Sequence, residues 1–284
     1  MIIAVASGKG GTGKTTIATS MAASIEQAIL VDLDVEEPNS YHFVKPEIKE
    51  SVPATVWHPE IDTEKCSFCG LCAEKCAFNC LLILKKQKTA NFFPELCHSC
   101  GLCKYVCPEN AIKDSQGKLG VIEKGSFGKE GDFYQGILDI GVPMATPLIG
   151  LTKESVKVNG KTIIYDSPPG TSCSAVETIQ HADYCVLVAE DTPFGESDLE
   201  MMLELVNKLQ KQAGIIINKS GTGYNSIEKL GKKYNTDIIY NIPFSDVILK
   251  GLSKGKLLHE IKPEIKKDFI ILVDSIKKQA EINQ

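Results

Sequence analysis

Apolar residues arrive along this chain in short runs separated by longer segments of helical period. Ile2–Ala6 is an apolar run of strand length, and Lys14–Glu26 carries Ile17, Met21 and Ile25 at helical spacing. A second strand is predicted at Ile29–Leu33. The pattern stops after Asp34 and resumes with strands at Thr162–Tyr165, Tyr184–Ala189, Ile215–Ile217 and Ile238–Tyr240. Helices fit between these, at Glu196–Gln212 and Tyr224–Tyr234. Short strands without polar alternation, separated by helices, predict an α/β fold with a mostly parallel, doubly wound sheet covered on both faces. At Pro263–Gln284, Ile265, Phe269, Leu272, Val273 and Ile276 share one helical face. Glu264, Asp268, Asp274 and Glu281 are interleaved with the lysines there, so the segment reads as a core-packing helix rather than a membrane-surface one.

The interruption is chemically distinct. It begins with Pro38, Pro46, Pro53 and Pro59 and then carries nine of the chain's 11 cysteines between Cys66 and Cys107. A small inserted domain is expected at 58–115, between a first part of the main domain at 1–57 and a second at 116–284. Residues 116–145 hold seven glycines and read as a β-like return into the main fold.

Composition narrows the chemistry. All 31 basic residues are lysine, so no arginine finger and no bidentate guanidinium contact to phosphate can come from this chain. A net charge of −5 argues against a nucleic-acid partner held by a basic face. No apolar run approaches the ~20 residues of a membrane span. Met1–Ser7 is uncharged and leads straight into a Gly-rich loop, which reads as a first strand of a cytoplasmic protein rather than a signal peptide. In that setting clustered cysteines point to metal or clusters, not disulfides.

Gly8-Lys9-Gly10-Gly11-Thr12-Gly13-Lys14-Thr15 matches G-x-x-x-x-G-K-[ST] between a strand and a helix, the context of a phosphate loop. Gly8, Gly10, Gly11, Thr12, Gly13, Lys14, Thr15 and Thr16 form the expected nucleotide-binding set. Lys14 is expected on the β and γ phosphates and the Thr15 hydroxyl on Mg²⁺. With Lys9 the loop reads K-G-G-T-G-K-T, which resembles the deviant phosphate loop of the MinD/ParA/Mrp and nitrogenase iron protein class. That resemblance implies that Lys9 reaches the nucleotide of a second subunit, in a nucleotide-dependent homodimer. It also implies that Asp34, ending Val31-Asp32-Leu33-Asp34, orients the attacking water. Ile163-Ile164-Tyr165-Asp166 runs into Ser167-Pro168-Pro169-Gly170, where Asp166 is expected to hold Mg²⁺ through water and the Gly170 amide to sense the γ-phosphate. A guanine-reading N-K-x-D motif needs Asp where Gly221 stands, so ATP/ADP is the expected nucleotide. By analogy with the class Asn218 contacts adenine, with Pro243 and Phe244 as candidate pocket residues.

Cys66-x2-Cys69-x2-Cys72-x3-Cys76 repeats 31 residues later as Cys97-x2-Cys100-x2-Cys103-x3-Cys107-Pro108, and Gly70-Leu71 repeats as Gly101-Leu102. The spacing resembles bacterial ferredoxins with two [4Fe–4S] clusters, in which the fourth cysteine crosses to the other cluster. That resemblance implies Cys66, Cys69, Cys72 and Cys107 on one cluster and Cys97, Cys100, Cys103 and Cys76 on the other. Zinc normally takes cysteines in pairs. Ala77 stands where the second run has Pro108. Cys80 corresponds to Ala111 and reads as a packed thiol, Cys185 as core, and His98 as a loop residue beside the second run. Cys173 lies seven residues after Asp166, where the nitrogenase iron protein has a cluster ligand; no second cysteine outside the insert, other than Cys185, accompanies it.

Nearly the whole chain therefore resembles MinD-superfamily P-loop ATPases with an inserted ferredoxin domain. The resemblance implies a Mg-dependent ATPase, slow without a partner, that couples nucleotide state to electron transfer toward a redox or Fe–S client protein. An Mrp-like Fe–S carrier is an alternative, weakened because no cysteine follows Cys185 to make a C-P-x-C pair. A MinD/ParA-like positioning regulator is a second alternative.

Overall fold

The computed structural model describes residues 1–221, 223–224 and 226–282, leaving aside the side chains of 281 and 282. Among the described residues there are eleven strands: β1 Ile2–Ala6, β2 Ala28–Asp32, β3 Glu47–Ile61, β4 Leu81–Leu84, β5 Thr89–Phe92, β6 Ile112–Phe127, β7 Gly131–Leu138, β8 Thr162–Asp166, β9 Tyr184–Glu190, β10 Gln212–Ser220 and β11 Ile238–Pro243. Nine of them form one sheet in the order β11-β10-β9-β1-β8-β2-β7-β6-β3. The pairings from β11 through β7 are parallel. The link from β6 to β7 spans residues 128–130, too short for the crossover a parallel pair needs.

Two compact units divide the chain. The first comprises 1–51, 122–137 and 149–284, and the second 52–121 with 138–148. In the first, Ile3–Ala6 and Ala28–Val31 are almost fully buried, as expected of strands covered on both faces. The helices Lys14–Ser24 and Glu264–Ile282 share one core cluster with them. Ile17, Met21, Phe269, Val273 and Ile276 are each at most 1% exposed, so the face expected of the last helix is the face that packs. The Glu281 side chain and Gln284 of that prediction lie outside what is described.

Three expectations require correction. The helix placed at Glu196–Gln212 runs Pro193–Lys208, capped by the Thr192 hydroxyl accepting from the Gly195 N–H at 3.1 Å, and Gln212 already begins β10. The helix placed at Tyr224–Tyr234 is Ser226–Lys233, with Asn225 outside the described residues. The sheet pattern does not stop between Asp34 and Thr162, because β3, β6 and β7 extend the same sheet. Prolines 53 and 59 masked β3, which is the last strand on its side of the sheet. Only there does a missing N–H leave no ladder bond broken.

The second unit contains the hairpin of β4 and β5, paired antiparallel from Leu81↔Phe92 to Leu84↔Thr89, and two short helices, Leu71–Glu74 and Leu102–Tyr105. The insert expected at 58–115 falls inside this unit.

Candidate functional site

The loop from Ser7 to Thr15 joins β1 to the helix beginning at Lys14. Gly11 and Gly13 have φ of +79° and +98°, backbone conformations that glycine adopts without strain. A Cβ on Gly13 would also strike the Asn218 side-chain amide, and one on Gly8 the backbone carbonyl of Asp198. Lys14 is 5% exposed, and the Thr12 hydroxyl is buried without a hydrogen-bond partner. The loop amides and the first helical turn, closed by Ile17 N–H donating to Gly13 O at 3.0 Å, form a cradle with the polarity of an anion site.

Carboxylates gather beside it at the C-terminal ends of neighbouring strands. Asp32 and Asp166 are register partners on β2 and β8, and both are fully buried. Asp32 accepts N–H bonds from Asp34 at 3.1 Å, Asn39 at 3.0 Å and Ser40 at 2.9 Å, which fixes the course of residues 34–40. The Ser40 hydroxyl donates to Asp166 Oδ2 at 3.1 Å, while Asp166 Oδ1 has no partner. Burial holds Asp32 well above the usual carboxylate range, with Asp166 adding to the effect. Burial also raises Asp166, opposed by Lys14 and by the hydroxyls of Thr15 and Ser40. Asp34 is pushed up to about 6 by burial, opposed by Lys14, while Asp166, Glu37 and Glu36 add to the rise. Two buried carboxylates side by side, one with an orphaned oxygen, facing a hydroxyl and a lysine, make a donor set that suits a hard divalent cation.

The structure thus brings together Lys14, Thr15, Asp34 and Asp166, and places beside them two residues that sequence reasoning had not singled out. Asp32 was visible in the D-x-D that ends β2. Ser40 carried no signal, being brought to Asp166 only by the turn after Pro38.

Three expected residues are engaged otherwise. Gly170 donates its amide to Ser7 O at 2.9 Å, so in this conformation the amide is not directed at a phosphate. Asn218 donates from Nδ2 to Thr12 O at 2.7 Å and accepts from the Lys219 amide at 3.0 Å, which makes it a brace on the phosphate loop with its polar atoms committed. Lys9 is folded onto its own chain, 3.4 Å from Asp198 and 3.9 Å from Glu190, with its ammonium 5.9 Å from the Phe194 ring centroid. Glu190 also pairs with Lys219 at 2.5 Å. Of the proposed pocket residues, Phe244 is exposed and donates its amide to Ser220 O.

In the second unit the 31-residue repeat extends to backbone geometry. Phe68 and Ser99 both have positive φ, as do Gly70 with Gly101 and Asn79 with Asn110. The amides of Phe68 and Ser99 donate to Cys66 Sγ and Cys97 Sγ, each at 3.4 Å. Cys66, Cys69, Cys72 and Cys107 line one small cavity of about 20 Å³ with Ile83 and Pro108. Cys97, Cys103 and Cys76 pack around buried Cys80, whose sulfur lies 3.4 Å from that of Cys76. Burial pushes the Cys103 thiol up to about 11, with Cys97, Cys72 and Cys100 adding to the rise. Among the described residues no group of three or more His, Cys, Asp or Glu is arranged to hold a single metal ion. The His98 ring stacks on Phe78 with centroids 3.6 Å apart. Cys185 is core, its thiol pushed up to about 12 by burial, and Cys173 is exposed at the start of the helix Cys173–Ile179.

Comparisons with known proteins agree with the first unit's geometry. The chain is 28% identical over 283 residues to an uncharacterized protein of Methanocaldococcus jannaschii, covering 98% of this chain and 96% of that one. Over 112 residues it is 30% identical to the light-independent protochlorophyllide reductase iron-sulfur ATP-binding protein of Chloroherpeton thalassium, covering 36% of this chain and 41% of that one. Its fold resembles that of the septum site-determining protein MinD of Pyrococcus horikoshii, solved with Mg-ADP. The TM-score is 0.57 at 18% identity, covering 100% of this chain and 98% of that one. The model of the CobQ/CobB/MinD/ParA nucleotide binding domain matches residues 3–258. A phosphate loop between β1 and its helix, with paired aspartates at the ends of β2 and β8, sits within that span, and the chain belongs to the CobQ/CobB/MinD/ParA nucleotide-binding family.

Proposed function

We propose that this protein is an ATP-binding and ATP-hydrolysing iron–sulfur protein that couples nucleotide state to electron transfer through two [4Fe–4S] clusters. The reading assigns 1–57 and 116–284 to the ATPase and 58–115 to a ferredoxin-like insert. The observation that carries it is the duplicated cysteine loop, whose backbone repeats with its sequence, together with the cavity shared by Cys66, Cys69, Cys72 and Cys107. Amides donating to Cys66 and Cys97 sulfurs suit thiolate ligands, since such bonds stabilise charge on sulfur. The absence of a single-ion site is compatible with this, because the corners of a cubane spread its ligands wider than one ion does. Clusters held by these two sets of cysteines would supply one-electron chemistry.

At the nucleotide site, Thr15 and Asp166 are the proposed holders of Mg²⁺, which would supply charge neutralisation at the phosphates. Lys14 supplies cationic charge from within the loop. Asp34 orients the attacking water. In a nucleotide-bound homodimer Lys9 leaves Asp198 and Glu190 to act on the second subunit's nucleotide, adding a cation where an arginine-free chain has no guanidinium to offer. The relative with an iron-sulfur ATP-binding name supports the pairing of these two chemistries.

The test combines content with kinetics. Purified without oxygen, the protein should carry about eight iron and eight sulfide per chain. Reduced protein should reoxidise on an acceptor faster with Mg-ATP than without, and Lys14→Ala should abolish the difference. Equal rates in all three samples refute the coupling, and a chain without iron and sulfide refutes the clusters.

A further inference from the structure

The β4–β5 hairpin presents two different faces. Leu81 is buried and Ile83 lines the cavity of Cys66, Cys69, Cys72 and Cys107. Leu82 and Leu84 alternate onto the opposite face and are 44% and 36% exposed. The turn between the strands is Lys85-Lys86-Gln87-Lys88, exposed throughout. Lys85 arches back so that its Cε is 3.1 Å from the position a Gly70 Cβ would take, which puts it beside the first cysteine loop.

Apart from Lys65, the other lysines of this unit are matched. Lys75, Lys104, Lys113 and Lys118 each pair with an acid, whereas Lys85, Lys86 and Lys88 make no ion pair among the described residues. The duplication sharpens the contrast. The segment 31 residues on, which begins at Ile112 on β6, has Gln116, Gly117 and Leu119 where the hairpin has these lysines. The unpaired lysines therefore belong to one side of the pseudo-repeat only.

We infer that the hairpin face of Leu82, Leu84, Lys85, Lys86 and Lys88 is a docking surface for an acidic electron-carrier protein, and that exchange with partners occurs on the side of the first cysteine set. The inference rests on the cluster reading proposed above. Three uncompensated lysines around two exposed leucines complement a partner patch of carboxylates around an apolar centre. A polyanion such as nucleic acid is disfavoured by the net charge of −5 on the whole chain.

The experiment measures equilibrium binding of the intact protein to an acidic plant-type ferredoxin as probe, at low and moderate salt. The triple variant Lys85→Glu/Lys86→Glu/Lys88→Glu should bind at least about tenfold more weakly at low salt, and the wild-type affinity should fall as salt rises. Lys229→Glu/Lys232→Glu/Lys254→Glu, with the same change in net charge at exposed sites of the other unit, should leave binding within about twofold. Equal loss in both variants, or none in the first, overturns the docking surface. Tighter lysine-dependent binding to duplex DNA or anionic vesicles than to the ferredoxin overturns the choice of partner. Iron and sulfide content, assayed on the same samples, reports separately on the clusters: full content with unchanged binding fails the hairpin alone, while empty protein fails the parent reading.

Discussion

Asp34 offers the most direct check on the electrostatics of the nucleotide site. Its carboxyl is raised from 3.8 to about 6, chiefly by burial. A raised acid binds its proton more tightly when folded. Its favourable contribution is complete below the unfolded pKa and is lost as pH rises through the folded one. At ~1.4 kcal/mol per unit, the shift corresponds to at most about 3 kcal/mol. Asp34 is only half-buried, so solvent screening reduces the expected effect to about 1–2 kcal/mol. Asp34→Asn removes the ionisation with little change in shape. In nucleotide-free, Mg-free buffer the variant should exceed wild type by about 1–2 kcal/mol at pH 8 and by a clearly smaller margin at pH 4.5. Urea denaturation reads this directly: with a slope near 3 kcal/mol/M, the midpoint moves by about 0.5 M. A difference that is constant between pH 4.5 and pH 8, or that favours wild type at high pH, refutes the account of a strained carboxylate. ATP turnover by the same variant should fall by at least about tenfold, since on the proposed role of Asp34 a stabilising substitution that also removes the water-orienting group trades activity for stability.

Two further substitutions probe other parts of the structure. Asn218→Ala removes the bond to Thr12 O and leaves the loop unbraced, so nucleotide affinity should drop about three- to tenfold by calorimetry, with the melting temperature of the nucleotide-free protein lowered only slightly. Phe269→Ala empties a fully buried site in the core shared with the helix Lys14–Ser24, and should cost about 3–5 kcal/mol in chemical denaturation.

What could be read from the sequence follows the range of the interactions involved. The phosphate loop and the cysteine repeat are local, because their chemistry fixes residue type at fixed spacing, and the helical face of Ile265 to Ile276 is local as well. Strand β3 was not legible, because its stability lies in pairing with β6 and not in any periodicity of its own, whereas β6 fell largely within the β-like return read at 116–145 without a register. Pro53 and Pro59 read as linker residues until an edge position is known. The role of Asn218 as a brace depends on two segments 206 residues apart meeting at one carbonyl, which no spacing rule reaches. Ser40 joined the aspartate pair for the same reason.

The bond from the Gly170 amide to Ser7 O gives the loop after β8 a resting partner. Any phosphate group that recruits this amide must first compete with a carbonyl of the phosphate loop itself. A net hydrogen bond of about 1 kcal/mol then lowers apparent affinity roughly fivefold relative to a site in which the amide stood free. That toll has a use. On the expectation that this amide meets a γ-phosphate, a ligand lacking that phosphate would leave the bond to Ser7 in place and one possessing it would break it. The nucleotide's last phosphate would then be felt in a loop that begins one residue beyond the buried Asp166.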